Sequence, residues 1–126
     1  MQIKILGIGL LLCACGGCWD PCGNDEVVRV PSSDGRLEAV IFRRDCGATT
    51  DFSTQISILT KGASLPNAGV NIFVADSNHG TAPVARWGGP SVDVSWSMNR
   101  RLTVIIDPAA RILRNESAVA VSNGDA

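Results

Sequence analysis

The chain has no tyrosine and a single histidine, His79. That leaves little for general acid–base chemistry, which draws mostly on His, Tyr, Lys and carboxylates. With 45% hydrophobic and 18% charged residues, the balance is that of a foldable globular chain, not a disordered one. Basic and acidic residues nearly cancel, 11 against 12, for a formal charge of −1. A broad electrostatic grip on nucleic acid needs a clustered basic surface, and this balance argues against one. No apolar run approaches the ~20 residues of a membrane-crossing helix. No stretch of ten residues carries a helical stripe, and no glycine-rich phosphate loop, Ser/His/Asp arrangement or paired-carboxylate motif occurs. No cofactor and no metal site is expected.

What is present is cysteine, five of them in 126 residues, with Cys13, Cys15, Cys18 and Cys22 in the first 22 positions. Lys4 precedes an apolar run from Ile5 to Leu12, broken only by Gly7 and Gly9. Eight residues of helix span roughly 12 Å. A charge, a short apolar run and then small residues form the pattern of an export signal. Leu12-Cys13-Ala14-Cys15 resembles the lipobox of bacterial lipoproteins, with Cys13 where Ala, Ser or Thr is usual. By that resemblance residues 1–14 are a signal peptide and Cys15 carries the lipid. Cys15-Gly16-Gly17-Cys18 is an alternative match that would lipidate Cys18, but it lacks the leading aliphatic. By the same resemblance, Gly16 after Cys15, rather than Asp, implies sorting to the outer membrane, facing the periplasm, in a cell that has one. The expected partner is then the membrane itself, through acyl chains that each add ~0.8 kcal/mol of affinity per buried CH2.

Cysteine parity bears on the same choice. If Cys18 is lipidated, Cys22 and Cys46 remain as a pair suited to an oxidising envelope. If Cys15 is lipidated, Cys18 is left over beside that pair. A Cys22–Cys46 link closes about 25 residues, worth roughly 3 kcal/mol by chain entropy. Two other uses of these groups are a Cys46 nucleophile with His79 as base, and a zinc site from Cys18, Cys22, Cys46 and His79. An oxidising compartment disfavours both.

Residues 15–25, with Gly-Gly, Trp19-Asp20-Pro21 and Cys22-Gly23-Asn24, are expected as a tether. Residues 26–122 alternate with period two, and 123–126 end the chain as a disordered tail. Val92, Val94 and Trp96 share one strand face, and Leu102, Val104 and Ile106 repeat this after Met98-Asn99-Arg100. Val70, Ile72 and Val74 form another set, as do Ile56 and Ile58. Leu37 to Phe42 is apolar on both faces apart from Glu38, as in a central strand. Segments near Val27–Val30, Arg111–Leu113 and Val119–Val121 are shorter. Glycine and proline punctuate the gaps. The pattern predicts an all-β domain, a small antiparallel sandwich or open barrel of seven to eight strands.

Ser32-Ser33-Asp34-Gly35-Arg36-Leu37 is echoed about 65 residues later by Ser97-Met98-Asn99-Arg100-Arg101-Leu102. Each is a polar turn followed by Arg-Leu and an apolar strand. The first copy, after Pro31, resembles the turn inside blades of TolB-like β-propellers. About 100 residues cannot build a propeller, so two similar hairpins in one small domain are expected.

The candidate binding surface combines two loops. Residues 45–55 offer Asp45, Thr49, Thr50 and Gln55; residues 76–90 offer Asp76, His79 and Trp87. Long irregular loops are often functional, and an exposed Trp87 suits an envelope protein or a glycan. Asp, Asn, His and Gly at a strand end also make ordinary turns, and Trp87 can simply cover the sheet. The runs Cys22-Gly23-Asn24, Asp45-Cys46-Gly47-Ala48-Thr49-Thr50 and Phe73-Val74-Ala75-Asp76-x-x-His79-Gly80 resemble small bacterial envelope lipoproteins of unassigned function, over roughly residues 22–107. The resemblance brings no activity with it. The expectation is a membrane-tethered binding or structural domain. The alternatives are an envelope hydrolase using His79 with Asp76 or Asp45, and, within binding, an inhibitor that presents one rigid loop.

Overall fold

The computed structural model describes residues 22–47, 52–67 and 72–121. The leader with Cys15 and Cys18, the candidate residues Thr49 and Thr50, and the tail 123–126 lie outside the described residues.

Seven strands are present among the described residues: β1 (Gly23–Pro31), β2 (Leu37–Asp45), β3 (Ser53–Thr60), β4 (Phe73–Asp76), β5 (Val92–Ser97), β6 (Arg101–Ile106) and β7 (Arg111–Asn115). Five form one sheet in the order β1-β2-β3-β4-β7, and β5-β6 form a two-stranded sheet. Every pairing is antiparallel. The all-β expectation holds, with seven strands in two sheets. β1 begins at Gly23, inside the stretch expected as tether, and residues 119–121 form no strand.

Alternation places Leu37, Ala39 and Ile41 of β2 on the same face as Ile56 and Ile58 of β3, since Ile41 pairs Ile56 and Ala39 pairs Ile58. Phe73 and Ala75 of β4 extend this buried layer. The β5-β6 hairpin lays Val92, Val94, Trp96, Leu102, Val104 and Ile106 against it. In β4 the inward residues are Phe73 and Ala75; of the expected Val70-Ile72-Val74 set, Val74 faces the other way, with Val40 and Phe42, Ile72 packs on the inner layer from just before the strand, and Val70 lies outside the described residues. The run Ile72-Phe73-Val74-Ala75 is apolar throughout, so its phase is decided by the pairing of Phe73 with Ile56.

The second face of the large sheet is covered by the chain after β3. Leu65 packs against Val40 and Phe42, both fully buried. Arg29 fastens this cover. It donates from Nη1 to the Ala63 carbonyl (2.8 Å) and to Glu38 (3.1 Å), and from Nε to Glu26 (2.8 Å). The register shift between Glu26 and Val28 makes Val27 an extra residue, so Glu26 and Arg29 fall on one face. A β-bulge of this kind re-aims the side chains that follow it. Asn24 adds a bond to the Pro66 carbonyl (3.0 Å), and Asn67 one to Cys22 (3.2 Å). Leu37 to Phe42 is thus covered on both sides, as expected of a central strand.

Register also assigns the ends. Gly23 pairs Asp45, Arg44 pairs Ser53, Ser53 pairs Asp76, and Asp76 pairs Arg111. The start of β1 and the loops after β2 and β4 therefore share one end. The opposite end carries the 32–36 turn, Thr60, Ile72 and Asn115. Nine residues of β2 separate the two by roughly 25 Å.

Candidate functional site

The loop end is built for closure. Cys22 and Cys46, one residue beyond the Gly23–Asp45 pair, are joined as a disulfide with Cα atoms 3.9 Å apart. Their sulfurs bond each other, so neither a Cys46 thiol nucleophile nor a site using both sulfurs for zinc is present. Among the described residues no group of three or more His, Cys, Asp or Glu could hold a metal ion.

Asp45 is half-buried and accepts the Gly47 N–H at 3.0 Å, an ordinary Asx turn. Gln55 does not belong to the loop. It lies inside β3, 6% exposed, and donates to Ser53 Oγ at 2.8 Å. Its polar neighbours Ser53 and Thr54 suggest a loop, but period-two pairing with β2 and β4 satisfies their backbones and makes them strand. Asp76 is buried at the end of β4, where the Arg111 guanidinium grips both carboxylate oxygens. That hydrogen bonding holds its carboxyl below the usual range against the opposing effect of burial, with help from the Asn78 N–H, the Arg111 charge and His79. An ionised carboxylate so engaged is an anchor for β7 rather than a proton acceptor. His79 is exposed in a wound turn, at φ 57° between Asn78 at 55° and Gly80 at 82°. The Ala82 N–H closes this turn onto the Ser77 carbonyl at 2.9 Å.

Trp87 is half-buried and its indole N–H donates to Thr54 Oγ1 at 2.9 Å. The same hydroxyl donates to the Pro90 carbonyl at 2.6 Å. Gly88 and Gly89 let the loop come this close: a Cβ on Gly88 would meet Phe52 at 2.2 Å, and one on Gly89 would meet Thr54 Oγ1 at 2.5 Å. Phe52 in turn lies under the Arg43 guanidinium, 4.5 Å from the ring centroid. Phe52 and Thr54, at the end of the first candidate loop, meet Trp87, Gly88 and Gly89 of the second, and these contacts seal the sheet.

The open feature lies at the other end. Two strands cannot cover five, and beyond the hairpin the inter-sheet layer ends in a cleft of roughly 610 Å³. Its buried and half-buried floor is Leu37, Ile58, Ile72, Trp96, Leu102 and Val121 of the inter-sheet core, with Thr60 beside them. Its exposed rim carries Arg36, Arg100 and Arg101 on one part, with Glu116 and Ser117 on another. Glu116 is paired with Arg114 at 3.1 Å, and Arg100 with Asp34 at 3.1 Å. Arg36 and Arg101 form no ion pair with a described residue. A chain with net charge −1 thus sets unpaired arginines on the polar rim of a cleft whose floor is mostly apolar. Pockets of about 300–1,000 Å³ with apolar walls and a few polar groups are the usual form of small-ligand sites.

No sequence motif marks this cleft, because its lining comes from five separate stretches of chain. The one sequence signal is the pair of echoed turns. Arg36 follows one and Arg100-Arg101 closes the other, and the fold sets them side by side. Comparison with protein-family models, curated proteins and solved structures finds no match to this chain.

Proposed function

We propose that this chain is a lipid-anchored component of a bacterial envelope that acts by binding, with the far-end cleft as its binding surface. One observation carries the assignment of the surface. Cys22, the residue before β1, is tied to Cys46 at the end of the sheet opposite the cleft. An acyl group on Cys15 or Cys18 is only a few residues from Cys22, and at ~3.5 Å per residue such a link spans at most about 25 Å. The sealed loop end would then face the bilayer, and the cleft would face the aqueous compartment. The lipobox resemblance at residues 12–15 supports the anchor, Gly16 supports the outer membrane, and the Cys22–Cys46 disulfide fits an oxidising compartment.

Mass spectrometry of the mature N-terminal peptide tests the anchor. The expected result is an acylated Cys15 or Cys18; an intact Met1, or cleavage without acylation, overturns it. Affinity capture from native envelope tests the surface. A component retained by the wild type and lost with Arg101→Glu supports the cleft, whereas equal retention moves binding elsewhere.

A further inference from the structure

We infer that the cleft takes a single-chain anionic amphiphile, its hydrocarbon tail between the sheets and its acidic head at Arg36 and Arg101. The inference rests on the cleft being the binding surface and adds the ligand's chemistry. Leu37, Ile58, Ile72 and Leu102 make the floor mostly apolar, and the half-buried Thr60 adds a single hydroxyl. The Trp96 indole N–H is already donated to the Val30 carbonyl at 2.8 Å, so the ring offers the cleft only apolar surface. One hydroxyl cannot match a peptide's amides, so a peptide entering this layer would strand most of them, at a cost of about 1–3 kcal/mol for each unpaired group. A methylene chain has no such groups and gains by leaving water.

The head is chosen by charge. Arg100 is engaged by Asp34, which leaves Arg36 and Arg101 as guanidinium groups at the mouth without an acidic partner among the described residues. Guanidinium forks suit carboxylate and phosphate oxygens alike. The shared chemistry is therefore an anionic head on one tail, from a free fatty acid or from a lysophospholipid. Two-tailed lipids are less suited to a cleft of roughly 610 Å³.

Photo-crosslinking of the full chain in phosphatidylcholine vesicles tests this, with trace dodecanoate bearing a tail diazirine. Label is expected in the peptides containing Ile58, Trp96 and Leu102. It should fall several-fold in an Arg36→Gln/Arg101→Gln double variant that melts like the wild type, and persist in Arg86→Gln at the other end. Excess dodecanoate should displace the label, whereas dodecanol and butyrate should not. Displacement by lysophosphatidylglycerol as well extends the site to phosphate heads; displacement by dodecanoate alone restricts it to carboxylates. Equal displacement by dodecanol, wild-type labelling of the double variant, or label spread equally over residues 77–91 overturns the inference. So does stronger displacement by an apolar peptide with a free C-terminus. Cleft labelling on a chain without an acylated N-terminus would refute the anchor alone, and an acylated chain without cleft labelling would refute the ligand alone.

Discussion

Arg100 donates from Nε to Oδ2 of Asp34 across 3.1 Å, joining the tips of two hairpins 66 residues apart in the chain. Asp34 also organises its own turn. Its Oδ1 accepts the Ser32 hydroxyl at 2.7 Å and the Arg36 N–H at 3.0 Å. The Ser32 hydroxyl, the Arg36 N–H and Arg100 together lower its carboxyl to about 2. A depressed carboxyl contributes stability above its ordinary value of 3.8 and loses it as pH falls toward 2. Wild type should therefore lose stability between about pH 4 and pH 2 more steeply than Asp34→Asn. Urea unfolding at several acid pH values measures the difference, and parallel curves would refute the role given to Asp34.

The Cys22–Cys46 bond closes a sequence separation of 24 residues and pins β1 to β2 where both enter the loop end. Restricting the unfolded chain over that span is worth roughly 3 kcal/mol. Reduction, or the Cys22→Ser/Cys46→Ser double variant, should lower unfolding free energy by about that amount. Equal denaturation midpoints before and after reduction would show that the link contributes nothing.

Gly89 faces Thr54 closely enough that a methyl group would lie 2.5 Å from Oγ1 and 3.0 Å from the backbone nitrogen. Backbone cannot retreat as a flexible side chain can, so Gly89→Ala should cost about 1–3 kcal/mol by overpacking. The Trp87–Thr54 contact should loosen with it, visible as a red shift in tryptophan emission. Gly23→Ala, where a Cβ meets nothing within 4 Å, is the control and should change little.

The elements legible in the sequence were those with one covered face. Val92, Val94 and Trp96 alternate because β5 packs inward on the large sheet and leaves Asp93, Ser95 and Ser97 to solvent. β2 was legible as central because both of its faces are apolar. β4 was harder, since a strand covered on both sides carries no phase of its own. Gln55 misled because its polarity suggests a loop, whereas its bond to Ser53 lets it be buried in a strand. Val121 packs against the inter-sheet layer from a segment without ladder pairing, so apolar spacing alone mistook residues 119–121 for a strand. Asp76, His79 and Trp87 lie at one end of the fold, and the partners of Asp76 and Trp87, Arg111 and Thr54, come from distant positions that no local pattern marks. The cleft was illegible because it depends on how far a two-stranded sheet covers a five-stranded one.

The end-for-end arrangement of anchor and cleft is open to direct measurement. A fluorophore is placed on Asn99→Cys at the cleft, or on His79→Cys at the loop end, of the full chain in vesicles carrying quencher-labelled lipid headgroups. Strong quenching at position 79 and weak quenching at position 99 is the expected result. Equal quenching at both, or stronger quenching at position 99, would contradict a domain anchored at its loop end and open to ligand at the other.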